Sequence, residues 1–326
     1  MDIVLTLLAV LVAGVILWDQ FVTVFSTGGA GPLSQRGCQG LWHALLMVHR
    51  RRPIHRVLKY AGPAMILLSI LTWYLMLGLA VFMVLAAYPG SVIDSTTKAP
   101  ANAIEILYFT STTISSLGYG EWIPSGPPWT FISTLATLAA TIIVTVSLSY
   151  VLSVVSAAVE RRGLAAGIFA MGKTEEEIIR NANLNDPQGS LKNYLLSLSS
   201  AIDQQGLRHL AYPVLKYFHA TQPELSPARA VLLLSDTVFL LELDMSGSLK
   251  GVTGVLRSSI DNFVKFTRAN SASARSVDSD KNRLAGVATT LGLDTDGADF
   301  DRAFADYSPL RHRLLSLCEA DGWAVR

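Results

Sequence analysis

Thr112-Thr113-Ile114-Ser115-Ser116-Leu117-Gly118-Tyr119-Gly120-Glu121 is a short polar stretch set between two long apolar runs. Backbone this irregular cannot face lipid, because its N–H and C=O groups would have no partners there. At membrane depth it is tolerated only inside protein or beside water. The residue types suit a water-lined path. Gly118 and Gly120 can take backbone conformations closed to other residues. Alternating such conformations turns the carbonyls of Ser116, Leu117, Gly118 and Tyr119 toward one axis. A ring of such carbonyls from several copies can replace the water around a dehydrated cation.

The flanking runs set the class. The chain has 326 residues, 51% hydrophobic and 16% charged, with a mean hydropathy of +0.40. So few charges with positive hydropathy fit a membrane protein. A net charge of +1 gives no footprint for nucleic acid. Cys38 and Cys318 are the two cysteines, too few and too far apart for a metal motif or a disulfide framework.

Residues 1–25 predict a retained transmembrane helix, since its start lacks the basic region of a signal peptide. Asp19 interrupts its far end and is expected at the lipid interface; an intramembrane ion pair is the alternative. Residues 26–61 form a connector with six Lys/Arg and no Asp or Glu, which the positive-inside rule places in the cytoplasm. Within it, Leu41 to Val48, with Trp42, suits an interfacial helix.

Residues 62–162 form the central unit. An outer helix spans 62–88 without a charge. The segment 103–115 is too short to cross the hydrocarbon core and suits a re-entrant helix whose C-terminal dipole end favours a cation. Residues 116–120 follow as the proposed ion path. Pro127-Pro128 opens the next helix, expected over 131–159 and ended by Glu160-Arg161-Arg162. Thr134, Thr137, Thr141, Thr145, Ser149, Ser153 and Ser156 recur every three or four residues, so they share one helical face. That face either packs helices or lines a wet cavity, and beside this loop pore lining is the expectation. The N-terminus is then outside and the C-terminus cytoplasmic.

Thr113-x-Ser115-Ser116-Leu117-Gly118-Tyr119-Gly120-Glu121 resembles the selectivity filter of pore-loop potassium channels, whose usual pattern is Thr-x-Thr-Thr-Val-Gly-Tyr-Gly-Asp. Ser115 and Ser116 replace two threonines, Leu117 a valine and Glu121 an aspartate. The resemblance implies a homotetramer in the lipid bilayer that conducts K+ passively, with no cofactor, no catalytic residue and no metal beyond the permeant ion. It implies ion binding at Ser116, Leu117, Gly118, Tyr119 and Gly120, with the Ser116 hydroxyl serving the innermost site. Thr112, Thr113, Ser115, Glu121 and Trp122 would support the filter and its outer mouth, Thr112 standing where many relatives have a glutamate. The extra N-terminal helix, the Asp19 to Thr23 segment and His209 to His219 resemble poorly characterised bacterial ion-channel-domain proteins.

Residues 163–326 read as an all-α cytoplasmic domain, so the whole is an all-α membrane protein. It has three transmembrane helices, a re-entrant pore helix with a filter, and a helical domain after them. Ser226-Pro227 and Ser308-Pro309 are read as helix starts, and Asn270 to Asp280 as a loop. Gly167 to Thr174 matches the P-loop pattern, but a spanning helix precedes it where a strand is needed. Gly172 as a helix end and Thr174 as an N-cap explain it better. The acidic residues Asp294, Asp296, Asp299 and Asp301 lack EF-hand spacing, and the six histidines show no metal spacing. A non-selective cation channel, or a membrane-anchored sensor or enzyme with a vestigial pore, stands as the alternative function.

Overall fold

The computed structural model describes residues 2–26, 29–51, 55–181, 190–243, 250–267, 277–293 and 298–323. It is all-α apart from one pair of three-residue strands. Two compact units are present, Met1–Leu41 with Pro63–Ser153, and Trp42–Gly62 with Val154–Arg326.

The first unit is built on α1 (Asp2–Phe25), α4 (Ala61–Ala87) from Pro63, α5 (Ala103–Ile114) and α6 (Pro127–Met171) up to Ser153, with the start of α2 (Pro32–Arg51); the rest of α2, α3 (His55–Leu58) and the end of α6 belong to the second unit. The helices α1, α4 and α6 are long and apolar enough to cross a membrane. They meet in a core of Ile16, Trp73, Leu77, Val81, Leu85, Ala136, Ala140 and Ile143, into which α5 inserts Ile106, Phe109 and Ile114. Asn102 starts α5 with a capping box, accepting from the Ile104 and Glu105 amides while the Glu105 carboxylate accepts from the Asn102 amide, which satisfies donors that a helix start leaves orphaned. On either side of α5, β1 (Val92–Asp94) pairs antiparallel with β2 (Trp122–Pro124), Ile93 facing Ile123. This small ribbon ties together the two ends of the segment that carries the polar loop.

The second unit has α9 (Pro227–Leu243) at its centre, together with α7 (Glu175–Asn181), α8 (Ser190–Ala211), α10 (Lys250–Phe266), α11 (Val277–Thr290) and α12 (Ala298–Ala320). Nearly every residue from Pro227 to Leu240 is buried, as expected for a helix apolar on most sides. The periodic positions Val252, Leu256, Ile260 and Phe263 fill one core cluster and Leu284 and Ala288 another. Trp42 is buried in this unit, its ring 5.4 Å from that of Tyr217, so the segment read as an interfacial helix is a packed part of a longer one.

Three further boundaries differ from the sequence reading. The third span does not stop at Glu160-Arg161-Arg162 but runs to Met171. Arg161 explains this in part: it is buried and donates to the Leu215 carbonyl at 2.5 Å, so the charge is paired inside protein and does not mark a solvated end. Pro309 lies inside α12 and does not start it. An internal proline costs roughly 3 kcal/mol, offset here by Tyr307 and Arg311, which anchor the helix on both sides of it. Residues 277–280, read as loop, are the first turn of α11, with Asp280 buried; residues 270–276 lie outside the described residues, as do Asp294 and Asp296. Between α6 and α7, Thr174 does cap the next helix: its hydroxyl accepts from the Glu177 amide at 3.2 Å and Glu177 accepts from the Lys173 amide at 2.6 Å. Gly167 to Met171 is helical, so this stretch forms no P-loop.

Asp236, in the middle of the buried helix, accepts from Tyr307 at 2.6 Å, from Arg311 at 2.9 Å and from Arg283. Arg283 also reaches Glu175, and Arg311 reaches Asp280. Burial pushes the Asp236 carboxyl up and the two guanidiniums pull it back. A buried network of this kind adds little over apolar packing, but removing one member strands the others. Asp236→Ala is therefore expected to destabilise the chain by about 3–5 kcal/mol. Thermal unfolding in detergent checks this, with Asp299→Ala, at an exposed ion pair, as the control that leaves the midpoint unmoved.

Candidate functional site: the Ser115–Glu121 loop and its scaffold

Helix α5 ends at Ile114 with Ser115 as its C-cap. Beyond it the backbone changes hand at every second residue. Ser116, Gly118 and Gly120 have φ of +60°, +53° and +82°, whereas Leu117 and Tyr119 keep negative φ. Glycine takes the left-handed region freely; a serine there is strained by roughly 1–2 kcal/mol. Strain of this sort collects where function fixes a backbone.

The amides of this loop turn back on the helix. Ser116 N–H donates to the Thr113 carbonyl at 3.1 Å, and the Leu117 and Gly118 amides donate to the Thr112 carbonyl at 2.9 and 3.3 Å. They satisfy the carbonyls that the end of α5 leaves without helical partners. The opposite polar groups find nothing: among the described residues, no hydrogen bond ends on the carbonyls of Ser116, Leu117, Gly118, Tyr119 or Gly120. Leu117 and Tyr119 are 60% and 65% exposed within the single chain.

The scaffold holds the loop from three sides. Thr137 of α6 donates to the Thr113 carbonyl at 3.2 Å. The Tyr119 ring lies parallel to that of Tyr108 on α5, with centroids 6.5 Å apart, and the Glu121 carboxylate meets the Tyr108 hydroxyl. Trp122 pairs with Asp94 in the ribbon. Thr112 turns its hydroxyl to the Tyr108 and Phe109 carbonyls of its own helix, so its side chain is spent inside α5. Gly78 lets α4 approach closely: a Cβ there would stand 3.0 Å from the Ile114 side chain.

The hydroxyl stripe of α6 is largely outside the core of the chain. Thr134, Thr141, Thr145 and Ser149 are exposed and Thr137 is half-buried. Thr134, Thr137, Thr141 and Ser149 return their hydroxyls to the carbonyl one turn earlier. Ser133 and Ser147, off that stripe, are the buried pair. The stripe therefore does not serve to pack α6 within its own chain.

Asp19 is enclosed by protein. It is fully buried, and its partners are donors, not a cation. Its carboxylate accepts from the Leu33 amide at 2.8 Å, the Ser34 hydroxyl at 2.6 Å and the Trp73 indole at 2.9 Å. A carboxylate from α1 thus sits at the N-terminus of α2, where the orphan amides and the helix dipole favour negative charge, and it reaches α4 through Trp73. Thr23 completes the corner, donating to the Asp19 carbonyl at 2.6 Å and accepting from the Gly31 amide at 2.9 Å. Next to Asp19, Gln20 donates to the Ile143 carbonyl at 3.0 Å and the Ser147 hydroxyl at 3.3 Å. Gly31 is required in this corner because a Cβ would overlap the Asp19 side chain. The sequence signal for all this was Asp19 four residues before Thr23, followed by Gly31-Pro32-Leu33-Ser34.

No family model matches the chain, and no solved structure does. It is similar to an uncharacterized membrane protein of Bacillus subtilis (strain 168), YdjJ, with 27% identity over 233 residues, or 71% of this chain and 67% of that protein. The likeness agrees with the three apolar helices in placing the chain among membrane proteins.

Replacing Asp19 by Ala strands three buried donors. We expect a loss of at least about 3 kcal/mol, against roughly 1.5–3 kcal/mol for Trp73→Phe, which removes one bond to a charged acceptor. Thermal melts of the detergent-solubilised protein give the comparison, and Gly31→Ala is expected to behave like Asp19→Ala without touching a charge.

Proposed function

We propose that this chain is one subunit of a homotetrameric pore-loop cation channel that prefers potassium. One observation carries the reading: the five successive unpartnered carbonyls of Ser116 to Gly120, on a backbone that alternates in hand. Alternation of left- and right-handed residues turns successive carbonyls to one side and the amides to the other. Such carbonyls at membrane depth need a partner, and a row of them from several copies suits a cation stripped of water. The loop follows the C-terminus of a 12-residue helix, about 18 Å long and too short to span the core, whose negative dipole end faces the same place. Exposed Leu117 and Tyr119 are then covered by neighbouring subunits, and the exposed hydroxyls of α6 from Thr134 to Ser149 line the water below. On the same reading the N-terminus is outside and the C-terminal unit in the cytoplasm, which the basic connector supports.

The departures from the usual filter bear on selectivity. Leu117 for valine changes packing and not ligands, since the ligand there is a carbonyl. Ser116 supplies the same oxygen as threonine without the methyl that stiffens χ1, so the innermost site is looser. Glu121 keeps a carboxylate at the mouth, and its contact with Tyr108 braces the pore helix where Thr112 does not.

Reversal potentials under paired potassium and sodium gradients in liposomes or planar bilayers test the proposal. Potassium is expected to be preferred; equal permeability would leave a non-selective cation channel, and a monomer without flux would remove the channel reading. Gly118→Ala and Gly120→Ala are expected to abolish selective permeation with assembly intact, because a Cβ opposes the left-handed backbone. Ser116→Thr is expected to raise potassium selectivity and Ser116→Ala to lower it.

A further inference from the structure

We propose that His49, His55 and His219 form a proton-operated clasp, which holds the connector before α4 and the Arg161 turn of α6 to the chain's last turn and which acid opens. The clasp lies wholly within the second unit. Its centre is the segment His209–His219, whose role the sequence reading did not find. From it, the Leu215 carbonyl holds Arg161, the Tyr217 ring meets Trp42 and the Phe218 ring presses on Gly62 in the first turn of α4. A Cβ on Gly62 would overlap that ring. At its end, His219 is fully buried.

The hydrogen bonds fix the proton on each ring. His219 Nδ1 stands 2.7 Å from the Asp321 carbonyl, which can only accept, so that nitrogen carries the proton and Nε2 is an acceptor. His55 Nδ1, 2.8 Å from His219 Nε2, must therefore donate. His49 Nε2, 3.1 Å from the Gly322 carbonyl, donates in turn. Trp323 stacks on both His55 and His219, with centroids 4.8 and 5.4 Å away. Three imidazoles thus join two segments of the connector, the 209–219 segment and the C-terminal turn.

Protons undo this arrangement. The bond between His55 and His219 already holds its proton, so one added proton goes to His55 Nε2 and makes the pair a cation near the Arg161 guanidinium. A second sets two N–H donors head to head across 2.8 Å, and the rings must part. The other groups facing the clasp are Arg161 on α6, Asp321 after α12, and Arg229 on α9, which lies over the Trp323 ring at 5.4 Å. Burial, with His55, His49 and Arg161 adding to it against the Asp321 carbonyl, pushes His219 down to about 4. Burial and then His49 lower His55. His209, buried near Arg161 and Lys216, falls to about 3. A histidine with a depressed value stabilises the closed form fully above its free value near 6.5, and that stability is lost as pH falls through the depressed one. Asp321 works the other way: burial pushes it up to about 6 against Arg161 and Ser226, so its protonation favours the closed form. The geometry sets the net direction, because two N–H donors cannot face each other across 2.8 Å.

The test is hydrogen exchange on the full-length chain in detergent, read by mass spectrometry at imidazole C2 and at backbone amides, the latter corrected for the intrinsic effect of pH. We expect His219 to titrate at least about one unit below the free imidazole value near 6.5. Amide exchange in 214–219 and 318–323 is expected to rise about tenfold or more between roughly pH 7.5 and 4.5, with α9 unchanged. The double variant His55→Asn/His219→Asn keeps Nδ1-like donors and is expected to lose that pH dependence. His219 titrating at the free value, flat exchange in the wild type, or an unchanged pH response in the double variant would each overturn the proposal. If the variant does not fold, the wild-type imidazole titration decides alone. An effect of this clasp on ion flow would rest on the channel reading, but none of these measurements uses flux, so the two can fail separately.

Discussion

A peptide carbonyl cannot go without a partner in hydrocarbon, and the first unit carries five in a row that have none among the described residues. Every neighbouring device fixes where those carbonyls stand. The capping box at Asn102 and the apolar contacts of Ile106, Phe109 and Ile114 set the axis of α5. The Thr112 and Thr113 carbonyls gather the loop amides, which leaves the loop carbonyls on the far side. The β1–β2 ribbon holds the entry and exit of the segment together. Each is an ordinary local interaction, and together they hold Ser116 in a conformation that serine alone would avoid.

Much of this was legible in residue types. The three apolar runs gave three helices with ends within a residue or two for α1 and α4, because a run without charges has no other stable form in lipid. The loop was legible because two glycines in a polar stretch between such runs have few other uses. The left-handed Ser116 was not, since a serine says nothing about φ by itself. Polar residues inside apolar helices were the systematic difficulty. Asp19, Arg161 and Asp236 look alike in sequence, as charges that mark an end or a flaw, whereas each is buried and answered by partners from elsewhere in the chain. Pro309 failed as a helix start for the same reason: distant anchoring outweighed a local preference. The histidines were read for metal spacing alone, which says nothing about rings drawn together from three separate segments.

The two units solve burial in different ways. In the first, Asp19 and Gln20 spend their polar groups on backbone and side chains of neighbouring helices, so a span that is apolar almost throughout still has a fixed orientation and register. In the second, α9 is enclosed on most sides and its buried Asp236 gathers two arginines and a tyrosine. Neither network adds much net stability over apolar packing; each restricts which packing is allowed.

The Asp19 corner also orders events in time. The carboxylate is made early in synthesis, but its donors follow it by 14 residues at Leu33, 15 at Ser34 and 54 at Trp73. Two of the three donors are therefore made soon after the carboxylate, within the start of α2, and the third only with α4. The local pair can form as soon as Ser34 exists, whereas the bond that ties α1 to α4 waits for Trp73.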